Sequence, residues 1–235
     1  MKRNIILILL VLSATATFAQ MGKYRSDLAV GFVGGVRMNT ISFKPHVEHT
    51  WHVGPEVGVS VRYTCEKLIN MICALQTEVT FAQLGWKEPT YEDGYAYTRT
   101  MNYMRIPFLA HLGFGREEKG FKGFLLAGPE LGFALGESSK LSGPNPTEGI
   151  AFTTETAQRT LPYDNSFDYG ITAGGGLEYS HPKIGHFTLD ARYYFALSSV
   201  FDDSKKGTFT RSANQSIVVK LTYFYDVIKT RNRAK

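Results

Sequence analysis

The stretch "MNYMRIPFLAHLGFG", residues 101–115, decides the fold, because its two faces differ in kind. Met104, Ile106, Phe108, Ala110, Leu112 and Phe114 are apolar, whereas the alternate positions include Tyr103, Arg105 and His111. Successive side chains of a β-strand point to opposite faces, so this period of two marks a strand with one apolar and one polar side. Which side meets water is the question, and the rest of the chain answers it.

The same period recurs at 27–37, 53–63, 73–84, 121–135, 167–180, 186–198 and 215–227, with Gly, Pro, Asn and Asp clusters between. The apolar faces include Val57, Val59 and Val61, then Leu75, Val79 and Phe81, then Leu125, Ala127 and Leu131. Ile171, Ala173 and Leu177 follow, then Leu189 and Ala191, then Val219 and Leu221, and no charge falls among them. The opposite faces hold a nearly balanced set: Glu56, Arg62, Glu78, Arg105, Lys122, Glu130, Asp168, Glu178, Asp190, Arg192 and Lys220. Glycines such as Gly128, Gly132, Gly174 and Gly176 sit among these charges.

A soluble barrel or sandwich would turn the apolar faces inward, and an outer-membrane barrel would turn them out to lipid. Three features favour the membrane. Connections at 38–52, 85–100, 136–166 and 199–214 are long, and those at 64–72, 115–120 and 181–185 are short, in strict alternation. An even-stranded transmembrane barrel has long loops at one rim and short turns at the other. In the sixth segment, Phe167 and Tyr169 stand at one end of the apolar face and Tyr179 at the other. Ten residues at about 3.3 Å each, tilted by roughly 40°, give about 25 Å of height, the apolar band between two aromatic girdles. Finally, eight strands enclose an interior only wide enough for side chains, where charges must pair and glycine makes room for them. The expected fold is therefore all-β, a closed eight-stranded antiparallel up-and-down transmembrane barrel. Pro55, Pro107 and Pro129 fall inside the segments and predict bulges or shifted strand ends, since proline cannot donate to a ladder.

The chain opens with "MKRNIILILLVLSATATFAQ", which has a basic start, a short apolar run and small residues before Gln20. That pattern is a cleaved signal peptide over 1–19, leaving a barrel domain over 20–226 and a basic periplasmic tail over 227–235. No later segment offers eighteen uninterrupted apolar residues for a spanning helix. The formal charge of +5 is concentrated at the ends, so the body offers no basic face for nucleic acid. Cys65 and Cys73 could face each other across a hairpin and form a disulfide in an oxidising compartment, or remain as two small reduced side chains.

The segments "LQTEVTFAQLGWKE" (75–88), "YMRIPFLAHLGFG" (103–115) and "GPELGFALG" (128–136) resemble the PorT-like outer-membrane β-barrel family. So do "FDYGITAGGGLEY" (167–179), "FTLDARYYFAL" (187–197) and "NQSIVVKLTYFY" (214–225), and the likeness runs in order from about 27 to 226. The resemblance implies an exported eight-stranded barrel in a Gram-negative outer membrane. It brings no catalytic residues. Its expected partners are outer-membrane lipid, the outer-membrane insertion machinery, and envelope or secretion proteins. Leu221, Tyr223 and Tyr225 form an alternating strand suited to that machinery, although ten residues follow Tyr225.

The expected lumen network is Glu56, Arg62, Glu78, Arg105, His111, Glu130, Glu178, Asp190, Arg192 and Lys220. It reads as a salt-bridged plug that holds the barrel's shape, or alternatively as a narrow path for ions. His111 is expected to hydrogen-bond inside, near Glu78 or Glu130, and His181 and His186 to lie exposed at a turn. His46, His49 and His52 in "HVEHTWH" share a loop without a helix to set ligand geometry, so no metal and no cofactor is expected. The functional expectation is a non-enzymatic outer-membrane barrel whose long external loops, above all 136–166, serve binding or envelope integrity. The alternatives are a secretion or envelope-assembly component and an ion-conducting pore.

Overall fold

The computed structural model describes residues 23–44, 50–68, 71–88, 96–115, 120–142, 166–200 and 211–229. Eight antiparallel strands close on one another in sequence order. They are β1 (Lys23–Lys44), β2 (Thr50–Leu68), β3 (Met71–Lys87), β4 (Ala96–Gly115), β5 (Gly120–Ser142), β6 (Phe167–His181), β7 (Gly185–Ala196) and β8 (Arg211–Ile228). Closure comes from β1 pairing with β8, in a register that runs from Leu28 opposite Ile228 to Lys44 opposite Arg211. No described helix is long and apolar enough to cross a membrane.

The apolar faces point outward. Leu125, Leu177, Leu189 and Leu221 are each more than half exposed, and Val59 is 44% exposed. Glu78 and Arg192 are within 3% of complete burial. Two bands of paired rings frame the outer face: Phe133–Phe167 and Phe167–Tyr169 at 5.2 and 5.9 Å near the long connections, Phe121–Tyr179 and Phe187–Tyr223 at 5.0 Å near the short ones. Amphipathic rings favour the two membrane interfaces, and the aliphatic belt between them is the lipid-facing surface.

The prolines divide in their effect. Pro55 lies within the register shift that separates Trp51–Trp86 from Glu56–Ala82, a bulge between β2 and β3. Pro107 and Pro129 cause no shift. The β4–β5 pairing instead skips from Pro107–Glu130 to Ala110–Ala127, and β3–β4 skips from Thr77–Phe108 to Thr80–Arg105. The missing proline N–H interrupts the ladder while flanking bonds hold the register.

Several strands run longer than the residue pattern predicts. β5 reaches Ser142, where Gly136–Ser142 pair with Ala96–Asn102 of β4, so the loop expected from 136 begins later. Residues 1–19, the expected leader, and residues 230–235 lie outside the described residues, as do His46 and His49. Cys65 and Cys73, both half-buried, are not joined to each other. A register shift between Thr64 and Glu66 sets Glu66, not Cys65, opposite Cys73.

Candidate functional site

Inside the barrel, charged side chains from all eight strands meet in a single layer, one from each strand and a second from β7. Arg37 of β1 donates to Glu56 of β2 at 2.7 Å and to Glu130 of β5 at 3.0 Å. Lys220 of β8 lies 2.6 Å from Glu56 and 2.8 Å from Glu78 of β3. Arg192 of β7 joins Glu78 at 2.7 Å to Asp190 at 2.5 Å. Arg105 of β4 reaches Asp168 of β6 at 2.7 Å, with Glu130 at 3.8 Å. Thr80 and Gln76 donate to Glu56 and Glu78, both at 2.8 Å. A Cβ at Gly132 would stand 2.7 Å from Nη1 of Arg105, so this strand position is open to the guanidinium only as glycine.

Above this layer, toward the long connections, Ile41, Leu84, Trp86, Met101 and Tyr103 form a buried apolar cluster. Arg105 stacks over Tyr103 and Tyr194, each 4.7 Å from ring centroid to guanidinium carbon. Asp168 accepts from Asn214 at 3.2 Å and from the Ser198 hydroxyl in a short bond. Ser216 donates to Asn39 at 2.6 Å. The middle of the barrel is therefore filled with paired charges and capped by hydrocarbon, although Nη1 of Arg37, Nη1 of Arg192 and the Tyr194 hydroxyl have no hydrogen-bond partner among the described residues.

A second ionic cluster occupies the end that carries the short turns and both described chain ends, the periplasmic rim of such barrels. Arg62 binds Glu178 through two nitrogens, at 2.8 and 3.1 Å, and lies over the Phe224 ring at 4.2 Å. Lys122 lies 3.0 Å from the same carboxylate. His186 bridges Glu178 and Asp226, at 3.0 Å from each. Along the inner face of β5, Phe124 and Leu126 separate Lys122 from Glu130, so hydrocarbon divides the two ionic clusters on that wall.

Every residue of the expected lumen network is buried, yet the roles differ from expectation at the histidines. His111 meets neither Glu78 nor Glu130. It stacks on Phe124 at 4.6 Å, and neither ring nitrogen has a hydrogen-bond partner among the described residues. His186 is not a free turn residue but the link between β6, β7 and β8. His181 accepts from the Lys183 amide at 3.3 Å. Sequence reasoning missed Arg37 and Asp226. Arg37 ends the first predicted segment and shares the inward parity of Val33 and Gly35; continuing that alternation would have found it. Asp226 stands 40 residues from His186, and the β7–β8 pairing, which sets Phe224 opposite His186, brings them together.

Ser180, His186 and Asp226 have the connectivity of a nucleophilic triad, with Ser180 Oγ 2.9 Å from His186 Nδ1. Ser180 is fully buried, and its hydroxyl also donates to Glu178 at 3.3 Å. A nucleophile must reach its substrate, so this set ties strands together rather than attacking a bond. Among the described residues, no group of His, Cys, Asp and Glu has the geometry to hold a metal ion.

A family model described as "Outer membrane protein beta-barrel domain" matches residues 18–202. The chain belongs to that family. Membership in this barrel-domain family places the protein in the outer membrane. Solved structures similar to the chain include Neisserial surface protein A, at 13% identity and a TM-score of 0.43, covering 84% of this chain and 99% of that one. The attachment invasion locus protein Ail of Yersinia pestis matches at 13% identity and a TM-score of 0.36, covering 86% and 99%. The outer membrane enzyme PagL matches at 10% identity and a TM-score of 0.41, covering 82% and 98%. No residue role is carried over from them. A search of curated protein sequences finds no match.

Proposed function

We propose that the protein is a non-enzymatic outer-membrane scaffold whose long-connection rim serves binding or envelope integrity. The filled interior carries this reading. The layer built from Arg37, Glu56, Glu78, Arg105, Glu130, Asp168, Arg192 and Lys220 crosses the barrel, and the Ile41–Trp86–Tyr103 cluster lies over it. A conducting pathway needs a continuous polar opening that ions can enter and leave, and paired charges under hydrocarbon do not provide one. Long connections follow β3, β5 and β7 at one rim of the closed wall, and loops on such a scaffold are where binding usually resides.

Two measurements test the proposal together. Planar-bilayer recording of the purified barrel is expected to show no unit conductance. Cross-linking in native membranes is expected to capture partners that are lost when residues 143–166 are replaced by a short turn, while the barrel keeps its heat-modifiable gel migration. Steady unit conductance would establish the pore in its place, and partner capture that ignores the deletion would remove the rim from the account. The resemblance to PorT-like barrels favours a second reading, a secretion or envelope-assembly component acting through those partners; captured proteins that are secretion components would select it.

A further inference from the structure

Beyond the scaffold role, the periplasmic end contains a cavity of about 50 Å³ that the ionic cluster does not fill. Its walls include Arg62, Lys122, His111, His186 and Asp226. Both His111 ring nitrogens lack a partner among the described residues, although the residue is only 2% exposed. A neutral imidazole always carries one N–H donor, and leaving it unpaired in a buried place is unfavourable unless water or a ligand accepts from it.

The charges are unevenly placed. At the inner end, Arg62 and Lys122 converge on one carboxylate, Glu178. Asp226 is engaged by His186 at 3.0 Å and by Lys229 at 3.5 Å, two positions from the end of β8 and thus at the mouth. Arg62 and Lys122 together exceed Glu178 by one positive charge, while the carboxylates of Asp27 and Asp226 also line the cavity, with Lys229 beside Asp226. Lys122 has three N–H donors and one carboxylate partner among the described residues.

We propose that this cup binds a small oxyanion entering from the periplasmic side. Lys122 Nζ and the His111 ring donate to it, and the charge of Arg62 stands behind them. The group recognised is a compact, singly or doubly charged oxygen anion such as a phosphate or a carboxylate. Charge-assisted bonds from an ammonium and an imidazole are the donors that such an anion requires in a confined space.

The test uses the full barrel, refolded in detergent with 15N-labelled histidine, and reads the His111 ring resonances. Inorganic phosphate and sodium acetate are titrated separately, each against sodium chloride at matched ionic strength. A saturable shift of His111 with phosphate or acetate and none with chloride is expected, and the anion that saturates first identifies the tetrahedral or planar source. Lys122→Met is expected to weaken the apparent affinity at least tenfold; Lys122→Gln serves if the first variant loses heat-modifiable migration. Shifts that match those of chloride, shifts linear in concentration, or an affinity unchanged in the lysine variant would overturn the proposal.

Discussion

The two ionic clusters inside this barrel are made of the same residue types and do different things. The central layer draws on all eight strands, and each of its carboxylates lies against at least one guanidinium or ammonium. The periplasmic cluster is built around Glu178 and Asp226, keeps a cavity beside Lys122, and leaves His111 without a polar partner among the described residues. The difference teaches that ion pairing in a narrow barrel becomes structural when it is complete across the lumen. Where it stops short, the same chemistry leaves room for a ligand.

The comparison can be broken most severely at Lys220, whose ammonium is shared by Glu56 and Glu78. Lys220→Met orphans part of both carboxylates in a dry interior, and removing one partner of a buried pair costs about 3–5 kcal/mol. Urea unfolding in lipid vesicles, followed by gel migration, is expected to show that loss. On the outer wall, Leu221→Arg puts a charge into the lipid belt beside the same lysine, at an expected cost of about 2–4 kcal/mol. The paired substitutions separate the faces, because Lys220 and Leu221 are neighbours in sequence and opposite in environment. A smaller effect is expected at the periplasmic cluster. Asp226→Asn keeps a hydrogen-bonding partner for His186 near the mouth, so a loss of about 1 kcal/mol is expected. The smallest belongs to Cys65→Ser with Cys73→Ser. Both side chains are only half-buried and are not joined to each other, so stability is expected to change by no more than about 0.5 kcal/mol, with or without reductant.

How much of this was legible in the sequence depended on contrast between the faces. Where one side meets lipid and the other a charged lumen, as at Leu125 beside Leu126 and Lys122, the period of two gave strand, face and fold. Beyond the aromatic girdle that contrast ends. In "GESSKLS" (136–142), Gly136 to Lys140 are all exposed, so the pattern vanishes even though the pairing with β4 continues. Arg37 hid for a related reason, since its inward neighbours Val33 and Gly35 carry no charge to mark their face. Which charges pair was not legible at all. Arg62 finds Glu178 from 116 residues away, and Arg192 finds Glu78 from 114, through a lumen that exists only once β1 closes on β8. The bulge that sets Glu66 rather than Cys65 opposite Cys73 is a one-residue feature that no spacing rule anticipates.

The orientation of the wall is the claim on which everything else rests, and adjacent positions on β5 test it most directly. Trp51 and Trp86 are replaced by Phe, and a single tryptophan is placed either at Leu125, 58% exposed, or at Phe124, 4% exposed. Each protein is then folded into bilayers whose acyl chains carry bromine. Strong quenching of the Leu125→Trp fluorescence with little change for Phe124→Trp is the predicted result. Quenching of Phe124→Trp with Leu125→Trp unaffected would contradict the account.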